Sequence, residues 1–164
     1  MANFRQVSKK RIRHQAHSNE SSKTSSTSMG LDALLLAKAL SCLFFAILFL
    51  QSGLDKIIDK KGNLEWLTGH FAASPLKPFV GMMFATVMIV EVLAGLSSLA
   101  GVIGVFLPSM AALTVVGPAL SCLALVMLFF GQRVAKDYPG AATLACYFCA
   151  ALLTLVVCGT TKLP

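Results

Sequence analysis

The sequence predicts an all-α protein, a four-helix transmembrane bundle preceded by a disordered basic N-terminal tail. Three observations carry this. The 164 residues are 56% hydrophobic and only 13% charged, with a mean hydropathy of +0.75, too little polar surface for a soluble globule of this size. Four apolar runs, about 34–53, 79–100, 110–130 and 140–159, have the length a helix needs to cross a hydrocarbon core, about 20 residues. The formal net charge of +7 is unevenly spread, with six of the fourteen Lys and Arg in the first thirty residues against one acid, Glu20. The chain therefore divides into a tail, 1–30, and a membrane domain, 31–164.

Several function classes are excluded or disfavoured. Nucleic-acid recognition calls for basic residues clustered on a folded surface, and the apolar remainder has no such cluster. Cys42, Cys122, Cys146, Cys149 and Cys158 all fall in or beside apolar runs and none in a loop, against a disulfide framework. No histidine lies inside a span, so a haem held by two histidines of this chain is excluded. Walker loop, dinucleotide glycine fingerprint and zinc-ligand cluster are absent, so no metal and no motif-bound cofactor is expected.

Along the chain, residues 1–30 are polar and rich in Ser and Thr, with almost nothing to bury. A solvated tail, a partner for anionic lipid headgroups and an organellar transit peptide all fit that composition. The first span (34–53) contains Lys38, which is expected to snorkel towards the headgroups. The connection 55–78 places Trp66, Leu67 and Phe71 at helical spacing, predicting a short interfacial helix. Its His70 has no Cys or acid at metal spacing and reads as structural. The run SPLKP at 74–78 ends that helix and begins the second span.

The stretch 79–107 is twenty-nine residues with one ionisable side chain, Glu91, and a carboxylate at mid-membrane costs roughly 2.5–3.5 kcal/mol and usually faces a bundle interior. Small residues at four-residue spacing (Ser97 and Gly101, Ala100 and Gly104) suit close helix approach, and 101–108 is expected to form an uncharged turn. Pro118 in the third span removes a hydrogen bond to the Thr114 carbonyl and should kink that helix. The link GQRVAKDYP at 131–139 sets Arg133 and Asp137 one turn apart if the helix persists. The fourth span is rich in Ala, Cys and Leu.

Four spans put both chain ends on one side, here side A. Side B then receives the long connection and the GQRVAKDYP link, hence nearly every charge outside the tail. Depths counted inward from side B bring Lys38 near Glu91, so an ion pair between them and a protonated Glu91 donating to the Thr114 carbonyl both stand open, as do structural and proton-relay or ligand roles for Glu91. Asp55, Lys56, Gln132, Arg133 and Asp137 form a candidate cluster at the side-B mouth. Cys146 and Cys149 make a C-x-x-C two turns inside the fourth span, where apolar surroundings favour packing over redox chemistry.

The order SGLDK at 52–56, EVLAGL at 91–96 and FFGQRVAKDYPGA at 129–141 resembles the bacterial DoxX family of four-helix membrane proteins, over about residues 34–159. Ala94 stands where relatives often carry glycine, and the basic tail is longer than usual. The resemblance implies the bacterial cytoplasmic (inner) membrane, with an organellar membrane as the alternative. It also implies an accessory subunit of a quinone-linked redox system, of thiosulfate:quinone oxidoreductase type, that is not an enzyme by itself. The expected partners are the lipid bilayer and other membrane-complex subunits, and the expected cofactor is quinone. The residues it carries over are Asp55, Lys56, Glu91, Gln132, Arg133 and Asp137, with Asp55 pairing to Arg133 across the mouth, as pocket lining or as a structural clasp. A purely structural or assembly subunit and a small-molecule or proton pathway are the alternatives.

Overall fold

The computed structural model describes residues 2–160, and the expected basic residue Lys162 lies outside them. No strand occurs among the described residues. The helices are α1 (Ala2–Ile58), α2 (Lys60–His70), α3 (Val80–Phe106), α4 (Leu113–Ala135) and α5 (Tyr138–Gly159), with short 3-10 turns at Lys77–Phe79 and Pro108–Met110. Four helical segments are long and apolar enough to cross a membrane: Lys23–Ile58, Lys77–Phe106, Leu113–Ala135 and Tyr138–Gly159.

The chain forms two compact units, Met1–Leu36 and Ala37–Pro164. Within the first, residues 2–30 are helical, where composition reads as disorder. No Gly or Pro interrupts them before Gly30, and extending an existing helix avoids the cost of nucleating a new one. The charges of residues 5–13, on which the lipid and transit-peptide readings rest, lie outside the described side chains.

The second unit holds the bundle. Phe45 and Phe49 of α1, Ala94 of α3, Ala124 and Leu125 of α4 and Ala151 of α5 form its core. α3 packs along α4, and α4 along α5. The interior is largely small-residued and the periphery large: Gly95, Ser98, Gly117 and Ser121 are buried, while Leu93, Leu96, Ile103, Leu123 and Val126 face outward. Lipid offers no penalty to exposed Leu, so helices associate through close backbone contact at small residues. Two positions show it directly. A methyl on Gly117 would lie 2.6 Å from Ser98 Cα, and one on Gly95 would lie 2.8 Å from the Leu50 nitrogen.

Two boundaries differ from those the sequence suggests. The 101–108 segment is not a turn, since α3 continues to Phe106. Its glycines face the chain entering α4, with a methyl on Gly104 coming 2.6 Å from the Met110 carbonyl oxygen. They serve close approach, and the turn waits for Leu107 and Pro108. α4 runs through GQRVA and stops at Lys136, whose left-handed φ of 64° closes the helix. Arg133 and Asp137 are therefore not a helical pair. Asp137 instead caps α5 by accepting a 3.0 Å hydrogen bond from the Gly140 N–H.

Candidate functional site

The expected short helix is α2, bounded by Asp59, whose carboxylate accepts from the Gly62 N–H at 3.0 Å. Its depth follows from the register of α1 on α3. Ser52 lies level with Glu91 and Cys42 level with Gly101. α1 ends at Ile58, six residues beyond Ser52, whereas α3 begins at Val80, eleven residues before Glu91. The break between α1 and α2 is thus recessed below the start of α3, and α2 completes the wall above it.

Beneath α2 is a cavity of about 170 Å³. Met83, Phe84, Val87, Met127 and Leu128 give it an apolar side, and Lys56, Asn63, His70 and Gln132 a polar one. A groove on the outer face of α3 and α4, lined by Phe79, Met82, Thr86 and Phe130, shares Met83, Val87 and Met127 with the cavity. The two spaces therefore adjoin.

At the inner end, the Lys56 ammonium stands 2.8 Å from Glu91 Oε2 as an ion pair and donates to Ser52 Oγ at 2.8 Å, while the Ser52 hydroxyl donates to Glu91 Oε1 at 3.1 Å; Glu91 Oε2 itself accepts no hydrogen bond. Glu91 is 1% exposed and Lys56 19%, so the carboxylate meets the cavity only through the lysine. At the outer end, His70 Nε2 lies 2.9 Å from Gln132 Oε1, which makes Nε2 the protonated nitrogen, donating to the amide oxygen. Asp137 Oδ2 is 4.0 Å from the same nitrogen. Trp66 stacks on the His70 ring with centroids 4.8 Å apart.

These contacts redistribute the expected partners. Glu91 meets Lys56, and Lys38 lies fourteen residues from the Ser52 level, about 21 Å along the helix axis at 1.5 Å per residue. The depth count fails because it places the side-B ends of all helices in one plane. Asp55 does not meet Arg133. It accepts from Asn63 Nδ2 at 3.1 Å, and the Arg133 guanidinium lies over the Tyr138 ring at 4.8 Å. Lys56 and Gln132 enter the cavity, joined by His70, which the sequence reading treats as structural. The missed signal is spacing within α2: Asn63, Trp66, Leu67 and His70 recur on one helical face.

Cys146 and Cys149 are exposed free thiols on α5. The fully buried cysteines are Cys42 of α1 and Cys158 of α5. No group of three or more His, Cys, Asp or Glu able to hold a metal occurs among the described residues.

An enclosed space of about 150 Å³ accommodates benzene, so the volume of this more open cavity is of single-ring size. Fold and site together define an integral membrane protein of four spans with a cavity at the side-B mouth. No protein-family model, curated protein or solved structure matches the chain.

Proposed function

We propose that this protein is an accessory subunit of a quinone-linked membrane redox system and holds the quinone headgroup in the cavity beneath α2. The observation that carries the reading is the juxtaposition of a ring-sized cavity, polar on one wall, with an apolar groove sharing Met83, Val87 and Met127. An amphiphile with a compact polar ring and a long apolar tail has that shape. The likeness of the segments bearing Lys56, Glu91 and Gln132 to DoxX motifs supports the same class.

When bound, a quinone supplies two-electron, two-proton redox chemistry. The protein's part is recognition and proton management. The Gln132 amide N–H₂ is left to donate to a ring carbonyl, since its oxygen accepts from His70. Lys56, held by Glu91 and Ser52, presents a positive charge at the cavity's inner end. It can pass a proton outward and be reprotonated along the Ser52–Glu91 contacts. Trp66 and Phe71 add aromatic rings to the cavity lining.

Trp66 is the only tryptophan, so its fluorescence reports on the cavity. Titrating the full chain in nanodiscs with a short-chain quinone should quench it saturably, and Gln132→Ala should weaken binding about tenfold, the loss of one hydrogen bond of roughly 1.4 kcal/mol. Absence of saturable quenching, together with purified protein free of quinone by mass spectrometry, would overturn the reading.

A structural or assembly role remains the second reading, favoured by one observation. Lys56, Ser52 and Glu91 contact one another across α1 and α3, as a helix-joining clasp requires. Quenching that survives Glu91→Gln and Lys56→Met, with loss of assembly, would favour it.

A further inference from the structure

Asn63 fixes the polarity that α2 gives to the cavity. Its side-chain nitrogen lies 2.9 Å from the Asp59 carbonyl oxygen, 3.1 Å from Asp55 Oδ2 and 3.4 Å from the Asp55 carbonyl oxygen. All of these are acceptors, so the amide has to turn its NH₂ end towards them and its oxygen away. The path of the chain enforces this. Asp55 stands in the last turn of α1 and Asp59 caps α2, so both acceptor groups lie at the break beside which Asn63 begins its helix. Asn63 lines the cavity, and among the described residues Asn63 Oδ1 takes no hydrogen bond.

Gln132 of α4, the other amide lining the cavity, is set the opposite way. Its Oε1 accepts from His70 Nε2 at 2.9 Å, which leaves its NH₂ to donate. The Lys56 ammonium already faces Glu91 Oε2 at 2.8 Å and both oxygens of Ser52, at 2.8 and 3.4 Å. A ligand in this cavity therefore meets an amide donor from α4 and an amide acceptor from α2. A ring that carries only carbonyl oxygens can accept from Gln132, but at Asn63 it sets lone pair against lone pair. A ring hydroxyl supplies the missing hydrogen, and a second ring oxygen of either kind accepts from Gln132.

We propose, resting on the quinone reading, that the cavity takes the reduced, hydroxyl-bearing quinol in preference to the oxidised quinone, and that Asn63 sets this preference by accepting from a ring hydroxyl. Gln132 serves both forms alike, because its donor is met equally by a carbonyl or a hydroxyl oxygen. One hydrogen bond made to Asn63 by the quinol and left unmade by the quinone corresponds to about tenfold in affinity. Binding the reduced form about tenfold tighter raises the midpoint potential of a bound two-electron couple by about 30 mV.

The test titrates the full chain in nanodiscs, under argon, with a short-chain benzoquinone and separately with its quinol, reading the heat of binding against empty nanodiscs. The quinol should bind about ten times more tightly, and its dimethyl ether, which keeps the ring but has no O–H, should lose that advantage. Asn63→Leu should bring the quinol-to-quinone affinity ratio to about one, whereas Gln132→Ala should weaken both forms and keep the ratio. Saturable binding of both forms with equal affinity, tighter binding of the quinone, or a dimethyl ether that binds as well as the quinol would overturn this proposal and leave the quinone reading standing. Saturable binding of neither form would sink both. A preference kept in Asn63→Leu, or lost in Gln132→Ala, would remove Asn63 from the role given to it. The comparison of the two forms on the unaltered chain needs no variant to fold.

Discussion

Lys56 of α1 and Glu91 of α3 are joined at 2.8 Å, with the carboxylate 1% exposed and the ammonium forming part of a cavity wall. The contact ties the recessed end of α1 to the middle of α3, and Ser52 bridges the remaining carboxylate oxygen. A charge otherwise expensive in a membrane is thereby neutralised within the bundle.

Removing one partner leaves the other buried and uncompensated, at a cost of about 3–5 kcal/mol. Lys56→Met and Glu91→Leu should each lower the melting temperature in detergent markedly. The double substitution should recover most of the loss, because two apolar side chains need no partner. Additive losses in the double variant would contradict the pairing.

The α3–α4 interface should tolerate no side chain at its tightest point. Gly117→Val drives two methyl groups into the Ser98 backbone, and overpacking of this kind costs about 1–3 kcal/mol. Gly81→Val, where nothing lies within 4 Å of the added carbon, is the matched control. Equal melting temperatures for the two variants would count against the packing described.

Asp137 serves α5 as its N-cap through the Gly140 N–H. Asp137→Ala should destabilise the protein by about 1 kcal/mol, and Asp137→Asn by less, since Asn caps nearly as well. A thermal-denaturation series on the three chains decides this. If Asp137 acted chiefly as a partner for Arg133, Asn would be as damaging as Ala.

Asp55 and Arg133 should contribute independently. Their substitutions to Ala, singly and together, should give additive changes within about 0.5 kcal/mol, since Asp55 partners Asn63 and Arg133 lies over Tyr138. A coupling energy well above that would restore the clasp across the mouth.

Much of the architecture was legible along the chain because it is set by local quantities. Length and apolarity of each run decide whether a helix can span, and the four spans of the structure follow from them. A short helix was legible from the spacing of Trp66 and Leu67, with Phe71 falling at its C-cap and not inside it. The site was less so. Glu91 announced itself as a lone charge in an apolar run, but its partner depended on where α1 ends relative to α3. His70 looked isolated because Gln132, sixty-two residues away in the chain, is brought beside it only by folding.

What the sequence by itself determined is the number of helices, their membrane setting and the presence of one carboxylate that has to be buried. Tertiary structure alone decided that this carboxylate meets Lys56 and not Lys38, and that the glycines of 101–104 bring helices together instead of turning the chain. The physical reason is axial register. Periodicity and hydropathy specify which face of a helix turns inward, but sliding one span along another by a few residues leaves both almost unchanged. The close contacts at Gly95 and Gly117 select one register, and that register chooses the partners.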